Sequence, residues 1–423
     1  MQNWAGNFAF TATQLHRPTS IGEVQRVVAA SPKIRAIGAR HSFNGIADSP
    51  ADQIDLSGVD PDIVIDQERM AVMVGAGISY GDLSSFLHQQ GFALHNLASL
   101  PQITVAGAIA TATHGSGDGN KALSSAVVGL ESVVSDGSLQ RVELGEADFE
   151  AMVVSLGAFG IVTRVTLAIE PTFDIRQDAF VDIPWDELLA KFDAISSAAY
   201  SFSIFTKWSG PTASRIWLKT RLAAARPDEF DITRLELNLG SNLGLKPGVP
   251  YSVPATVENP LALLNPFGVA GPWSDRLTHT RREIAPLPAE QIQSEYLIAR
   301  PQLQKAIAII RAMAERVDVL LYATEIRTIA ADEFWLSPAY RQDTVGVHFT
   351  WKKKIDAVDA ITKELEALLI PLGAKPHWGK LIHADAATLA PLYPRMADFR
   401  SRVLSHDPEG KFRNAYLEKH VFG

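Results

Sequence analysis

The sequence contains no cysteine among its 423 residues. Disulfides, thiolate zinc sites, iron–sulfur clusters and cysteine nucleophiles are therefore excluded. Basic charge is also scarce, because 39 lysines and arginines stand against 47 acidic residues and no basic cluster exceeds the run Lys352–Lys354. Nucleic acids and anionic membrane surfaces need a dense basic face, so neither is expected as a partner.

Long apolar runs are absent as well. Gly, Pro or a charged residue interrupts each run before the roughly 18 residues that a transmembrane helix needs. Met1 to Phe10 lack the basic and apolar regions of a secretory signal, so we expect a cytoplasmic protein. The composition is that of a globular protein, with 47% hydrophobic and 20% charged residues, and the chain is long enough for two or three domains.

The first part of the chain, to about Pro171, alternates strand and helix patterns. Ser20 and Glu23 form a capping box that predicts a helix start. Ser79 begins a further helix that Gly91 ends. Asp136-Gly137 lies between two β-rich runs and predicts a hairpin. A helix over Phe149–Leu156 is expected to lead into the next strand.

Beyond Pro171 the predicted strands are longer and the helices fewer. The helices expected over Gln302–Val317 and Lys354–Leu372 each neighbour a strand, Leu320–Ile329 and Thr344–Trp351 respectively. Residues 247–272 are rich in Pro, Asn and Gly and are predicted to form a loop. The pattern indicates an α+β fold with a mainly antiparallel sheet.

Glycine-rich loops indicate a nucleotide ligand. Gly75–Gly81 is the weaker signal, because its third glycine is one residue late for a dinucleotide fingerprint, and a tight strand-to-helix turn is favoured. Gly38–Gly45 and Ser99–Gly117 are stronger, because small residues let backbone N–H groups approach a pyrophosphate and each segment carries a histidine. The alternative is a pair of structural turns with capping histidines.

The His41 loop, the Ser99–Gly117 segment and Gly157–Val162 resemble the FAD-binding domain of the vanillyl-alcohol-oxidase type. Within that type the chain is most similar to alditol (xylitol) oxidases, over nearly its whole length. The resemblance implies a two-part FAD-binding domain over residues 1–172, an α+β substrate domain over 173–375, and a C-terminal segment, 376–423, that returns to the FAD domain. The motifs that carry it further are Asn3–Asn7, Ser294–Leu297, Thr324–Thr328, Val347–Trp351 and Pro376–Lys380.

The resemblance also implies roles for single residues. His41 would carry FAD covalently at the 8α-methyl group, and the surrounding backbone would cradle the pyrophosphate. The cofactor contacts implied in this way are Gly38, Ala39, Arg40, His41, Ser42, Phe43, Ser99, Thr104, Gly107, Ala108, Ile109, Ala110, His114, Ile161 and His377.

The substrate side can be analysed from residue spacing. Glu325 and Arg327 are two apart on a predicted strand and project to one face, as do His348 and Thr350 on the next strand. With Lys380 and Ser99 such groups suit an uncharged vicinal polyol, which offers many hydroxyl donors and acceptors. For Glu325 and Arg327, spacing alone favours an ordinary ion pair within a sheet. The resemblance instead assigns polyol contacts to Ser99, Glu325, Arg327, Thr350 and Lys380.

The function that follows is an FAD-dependent alditol oxidase, which oxidises a terminal hydroxyl to the aldehyde and reduces O2 to hydrogen peroxide. Arg327 and Lys380 would polarise the hydroxyl, and His348 or Lys380 would accept its proton. The alternatives are an aldonolactone oxidase or dehydrogenase of the same fold, and a non-catalytic carbohydrate- or flavin-binding protein. No metal is expected, because the histidines show no i, i+4 pairing with acids. A monomer is expected.

Overall fold

The computed structural model describes residues 1–222, 246–247, 265–279 and 290–423. The helices of this part are α1 Ile21–Ala30, α2 Tyr80–Gln89, α3 Val105–Ala110, α4 Phe149–Val153, α5 Trp185–Ala190, α6 Phe192–Ser196, α7 Trp273–Arg276, α8 Leu303–Ala312, α9 Ala314–Asp318, α10 Ile355–Leu369, α11 Ala386–Leu389, α12 Met396–His406 and α13 Ala415–Leu417. Its strands are β1 Gln14–His16, β2 Ile34–Ile37, β3 Asp52–Asp55, β4 Val64–Asp66, β5 Ala71–Gly75, β6 Phe92–Ala93, β7 Val127–Val133, β8 Leu139–Glu143, β9 Ile161–Ala168, β10 Glu170–Pro171, β11 Asp174–Pro184, β12 Ser201–Thr206, β13 Thr212–Leu222, β14 Lys246–Pro247, β15 Gly271–Pro272, β16 Gln291–Ala299, β17 Leu321–Ile329, β18 Thr344–Lys352 and β19 Lys375–Pro376.

The first part of the chain forms two main sheets. One is parallel, in the order β1-β3-β2, and the other is antiparallel, in the order β4-β5-β9-β7-β8. The predicted hairpin is confirmed, because β7 and β8 pair on either side of Asp136-Gly137 and Gly137 takes the positive φ, +85°, that suits glycine. The predicted cap is confirmed too, since Ser20 accepts a hydrogen bond from the Glu23 N–H.

The later part of the chain builds one large antiparallel sheet in the order β14-β11-β13-β12-β17-β18-β16-β19, with β15 paired to β11. Successive residues of a strand face opposite sides of the sheet. Tyr296, Ile326 and Phe349 therefore lie in an apolar cluster with α8 and α10. Their neighbours in sequence, which include Glu295 and Arg327, face the other side. The α+β class is confirmed.

Several predicted elements differ in their bounds. The helix expected over 302–317 is interrupted at Met313, which separates α8 from α9. The helix expected over 354–372 ends as α10 at Leu369, and a 3₁₀ turn with Pro371 follows. The helix predicted through Leu156 stops at Val153, because Leu156 takes a left-handed conformation with φ of +52°. Of the predicted loop 247–272, only 247 and 265–272 are described, and Gly271–Pro272 form a short strand.

The C-terminal segment packs against the first part of the chain. The buried Arg35 guanidinium donates to the carbonyls of Leu156, Gly157 and Phe412. Lys411 Nζ donates to the carbonyls of Val28 and Ser135. These contacts agree with the expected return of the segment, although the exact domain boundaries stay a prediction. None of the described helices is long and apolar enough to cross a bilayer.

Candidate active site

A cavity of about 670 Å³ lies between the loops of the first part and the polar face of the large sheet. The loop after β2, the N-terminal end of α3 and the turn before Lys380 form three of its walls. Sequence segments separated by more than 300 residues therefore meet at one site. The cofactor residues of the sequence analysis that line this cavity are Gly38, Ala39, Arg40, His41, Ser42, Phe43, Ser99, Thr104, Gly107, Ala108, Ala110, His114 and His377.

Ile109 and Ile161 are the two exceptions, because neither lines the cavity. Ile109 is on the inward face of α3, and Ile161 is on the inward face of β9; both side chains pack in hydrophobic clusters. Their neighbours do line it, namely Ala108, Ala110, Gly160 and Val162. A side-chain contact of either isoleucine with a ligand in the cavity is thus not supported.

The turn after β5 has the predicted strand-to-helix form, with Ser79 as the N-cap of α2. The turn also contributes to the cavity, because Ala76 and Gly77 line its wall together with Thr104. The sequence analysis missed this contribution. A Cβ atom at Gly77 would lie 2.7 Å from the Leu56 carbonyl oxygen. Glycine is therefore needed for this close approach.

His41 is half-buried in the loop after β2. Burial, together with the charges of Lys380 and Arg40, lowers the pKa of the imidazole to about 4. The ring is therefore neutral at physiological pH and keeps one nitrogen lone pair.

Glu295, on β16, is the centre of the polar face of the sheet. Its carboxylate is buried and accepts a hydrogen bond from Arg327 Nη2 at 2.8 Å and one from His348 Nδ1 at 3.1 Å. Burial raises the pKa of Glu295, but Arg327, His114 and His348 outweigh that effect and hold the pKa well below its usual range. Gly346 lies opposite Arg327, and a Cβ there would come within 3.1 Å of Glu295 Oε1, so the glycine leaves room for the pair.

The state of His348 follows from this contact. An ionised carboxylate can only accept, so the proton lies on Nδ1 and Nε2 is left as an acceptor. Thr350 Oγ1 lies 3.3 Å from His348 Nε2 and can donate to it. Burial lowers the pKa of His348, against the opposing charge of Glu295, and the imidazole is neutral. The result is a neutral imidazole in the cavity wall, with its unprotonated nitrogen beside the Thr350 hydroxyl.

Glu325 and Arg327 do share one face of β17, as their spacing predicted. Their closest side-chain atoms are 3.8 Å apart, and Ser203 Oγ donates to Glu325 at 2.8 Å. Burial raises the pKa of Glu325, but Arg327 and His279 counteract it and bring the pKa to about 2. Two carboxylates therefore flank Arg327, and they raise its pKa although burial opposes them.

Lys380 enters the same cavity from the turn after β19. Asn44 fixes that turn by donating to the carbonyls of Trp378 and Lys380 at 2.8 and 2.7 Å. The Lys380 ammonium donates to Gln293 Oε1. Burial lowers the pKa of Lys380 to about 8, with Arg327 adding to the effect and Glu295 opposing it.

His114, Glu295 and His377 have one potential ligand atom each within 4.8 Å of one another. The same Glu295 oxygen that lies 3.1 Å from His114 Nε2 accepts from Arg327 at 2.8 Å. His377 Nδ1 accepts from the Gly379 N–H, which leaves the proton on its other nitrogen. A guanidinium at the ligand oxygen and a protonated histidine nitrogen both disfavour a cation, so the cluster is better suited to hydrogen bonding.

The predicted substrate and catalytic residues, Ser99, Glu325, Arg327, His348, Thr350 and Lys380, all line the cavity. The sequence analysis missed Glu295, Gln293, Ser203 and His279. Glu295 lies in Ser294–Leu297, one of the motifs that carry the resemblance. Its contact with His348 depends on the strand register, which places the two residues opposite each other on β16 and β18. Pairing of a buried acid with polar residues of two other strands is not visible along the chain.

Comparison with known proteins agrees with this geometry. A family described as FAD binding domain matches residues 12–143, and one described as D-arabinono-1,4-lactone oxidase matches residues 285–420. The chain has the fold of cholesterol oxidase from B. sterolicum, with a TM-score of 0.78 at 15% identity over 99% of this chain and 96% of that one. The fold is thus that of the vanillyl-alcohol-oxidase type.

Full-length relatives fix the family. L-gulonolactone oxidase of Mus musculus is 26% identical, over 99% of this chain and 97% of the relative. L-gulono-1,4-lactone dehydrogenase of Mycobacterium tuberculosis is 28% identical, over 99% of this chain and 98% of the relative. An alditol oxidase of Streptomyces sp. (strain IKD472 / FERM P-14339) is 40% identical, over 98% of this chain and 97% of the relative. With its FAD-binding fold and its polar, buried site, the chain belongs to the alditol oxidase family of FAD-dependent oxidoreductases.

Proposed function

We propose that the protein oxidises a terminal hydroxyl of an open-chain polyol, such as xylitol or sorbitol, to the aldehyde of an aldose, and that O2 is reduced to hydrogen peroxide. The observation that carries the proposal is one continuous cavity, which joins glycine-rich loops on one side to Glu325, Arg327 and Lys380 on the other. A polyol without charge can satisfy such a set through its many hydroxyl groups.

The residues present fit FAD. Thr104 packs so close to Gly38 and Gly107 that neither glycine could carry a Cβ, and the small side chains of α3 keep the backbone open to a phosphate group. Gly38–Phe43 and Thr104–Ala110 would hold the cofactor, and His114 and His377 would border it. Bound FAD would supply the two-electron acceptor for the substrate C–H bond and the site that returns the electrons to O2.

His41 is proposed to carry the cofactor covalently, through a bond to the 8α-methyl group. Its neutral imidazole and position in the cavity wall support this role. Acid precipitation should leave the yellow colour on the wild-type protein, whereas His41→Ala should release it into the supernatant. Complete extraction of the flavin from the wild-type protein by acid would disprove the bond.

Arg327 and Lys380 are proposed to polarise the reacting hydroxyl. Both are positive below a pH of about 8, the pKa of Lys380, and both stabilise oxyanion character as the O–H bond weakens. Glu325 would accept a hydrogen bond from the adjacent hydroxyl, because its pKa of about 2 keeps it ionised. Ser99 and Thr350 would bind further hydroxyls of the chain.

His348 is proposed to accept the hydroxyl proton. Its Nε2 is unprotonated because Glu295 holds the proton on Nδ1, and the substrate hydroxyl would take the place of the weak contact, 3.3 Å long, that Thr350 makes to this nitrogen. Lys380 is the weaker alternative, since an ammonium group must lose its own proton before it can act as a base. Glu295 would position both His348 and Arg327 without contacting the substrate.

The second candidate is oxidation of an aldonolactone, which the lactone oxidase match over 285–420 favours. The two candidates are separated by kcat/KM for peroxide formation with xylitol, sorbitol, glycerol, gulonolactone and galactonolactone, and with 1-propanol as control. We expect the polyols to exceed 1-propanol by roughly 100-fold or more, because each unpaired buried polar group costs about 1–3 kcal/mol. If gulonolactone equals or exceeds xylitol and sorbitol, the lactone candidate replaces the polyol one.

A further inference from the structure

An N-terminal segment, residues 3–8, covers the loop that bears His41. The indole of Trp4 packs against the His41 imidazole in a tilted arrangement, with ring centroids 4.8 Å apart and planes inclined by 34°. Its edge also packs on Phe43, at 6.4 Å between centroids. The cavity is lined by Trp4 as well as by His41.

The same segment fixes the backbone of the loop. Trp4 N–H donates to the Arg40 carbonyl at 2.8 Å, and Asn3 Nδ2 donates to the Ser42 carbonyl at 2.8 Å. Asn3 is buried, and its Oδ1 in turn accepts from the backbone of Asn7, which holds the segment in its turn. Arg40 takes a left-handed conformation, with φ of +61°, which is strained in a residue other than glycine. The segment thus stabilises a strained loop.

The His41 ring itself is held in a different way. Within the part of the chain that the structure describes, neither ring nitrogen makes a hydrogen bond or an ion pair. The packing of Trp4 against the imidazole is therefore a contact that restricts rotation of the ring about its side-chain bonds. A nucleophile attacks well only when its lone pair is aimed at the reacting carbon, so this restriction bears on bond formation.

We propose that Trp4 is a positioning residue for attachment of the flavin to His41. The inference rests on the proposed covalent bond. In the attachment a C–N bond forms between a His41 nitrogen and the 8α carbon, while one 8α C–H bond and the imidazole N–H bond break. The electron pair of the C–H bond reduces the flavin ring, O2 takes up the two electrons, and the two protons leave as part of hydrogen peroxide.

The test follows covalent incorporation in the full-length protein. Apoprotein is mixed with FAD in air, and acid-stable flavin and total bound flavin are measured over time. Trp4→Ala should bind FAD yet attach it about 100-fold more slowly, the loss that a misplaced reactive group brings. Trp4→Phe keeps a ring and should attach flavin faster than Trp4→Ala. Phe8→Ala is the matched control, because Phe8 belongs to the same segment and packs on Phe10 and against Gly45 at the end of the loop, but makes no ring contact with His41 among the described residues.

Each result decides between the proposals. Attachment by Trp4→Ala at the wild-type rate, or equal slowing by Phe8→Ala, would overturn the role of the Trp4 ring. Absence of acid-stable flavin from the wild-type protein would refute the covalent bond itself, and this inference with it. The ratio of acid-stable to total flavin in the variants as purified gives the same comparison if an apoprotein does not stay folded.

Discussion

Replacement of Glu295 by glutamine is the perturbation that best tests the proposed chemistry, because it removes one charge and almost no volume. In the wild-type protein the carboxylate accepts from both Arg327 and His348. A glutamine amide has one accepting oxygen and one donating NH2 group. If the oxygen stays with Arg327, the NH2 group faces His348 Nδ1, which must then give up its proton and become the acceptor.

The magnitude follows from that change of tautomer. His348 Nε2 would carry the proton and could no longer accept one from the substrate. General-base catalysis is worth about 10²- to 10⁴-fold, so Glu295→Gln should slow flavin reduction by at least about 100-fold. Arg327 keeps Glu325 as a partner at 3.8 Å, and substrate binding should change much less than the rate.

The assay is anaerobic stopped-flow reduction of the flavin by xylitol. Glu325→Gln serves as the matched variant, because it removes the other carboxylate beside Arg327. Glu325 lies opposite His348 on the neighbouring strand, but among the described residues its carboxylate bonds to Ser203 and not to the imidazole, so its loss leaves the hydrogen bond at Nδ1 in place. The variant should weaken polyol binding while the tautomer of His348 stays intact. A reduction rate for Glu295→Gln equal to that of the wild-type enzyme would refute the proton-acceptor role of His348.

Four further outcomes are expected. Arg327→Ala or Lys380→Ala should slow anaerobic flavin reduction about 100-fold or more, and an unchanged rate with weaker binding would limit them to substrate binding. The reduction rate should fall as pH rises through about 8, where Lys380 loses its charge; a rate that rises there would identify Lys380 as the base. Prolonged chelation should leave peroxide production unchanged, and loss restored by a divalent ion would contradict this. Burial raises the pKa of Glu366 to about 7 in the folded chain, against an ordinary 4.5. The contribution of Glu366 to the free energy of unfolding is therefore complete below pH 4.5 and is lost as pH rises through 7. Glu366→Gln should therefore show a smaller fall in Tm than the wild-type protein between about pH 5 and about pH 8; an identical fall would contradict the raised pKa.

Periodicity and turn chemistry predicted much of the fold. Alternation along β17 and β18 correctly put Glu325 with Arg327 and His348 with Thr350, because side chains two apart share a face whatever the neighbouring strands are. The break at Met313 was not predictable, since the residues on both sides favour a helix. The left-handed Leu156 was also missed, because leucine rarely takes a positive φ; in the structure its carbonyl accepts a hydrogen bond from the buried Arg35.

The site was predicted in part. Loop motifs located residues that line the cavity. Glu295 acquires its partners from β17 and β18, and strand register is a property of the folded sheet. The same limit applies to Ser203 and His279, which contact Glu325 from separate parts of the chain. The apolar side chains of Ile109 and Ile161 pack inward, so the motif match leaves only their backbone as a predicted cofactor contact.

The downstream anchoring of the His41 loop has a consequence for biosynthesis. Asn44 donates to the carbonyls of Trp378 and Lys380, which follow it in the chain by 334 and 336 residues. Asn414 donates to the carbonyls of Gly45 and Ile46. A ribosome delivers the N-terminal residues first, so the loop emerges long before the groups that fix it. The proposed bond between His41 and the flavin would therefore form only after synthesis has passed residue 414, and we expect a nascent chain that stalls earlier to carry no acid-stable flavin.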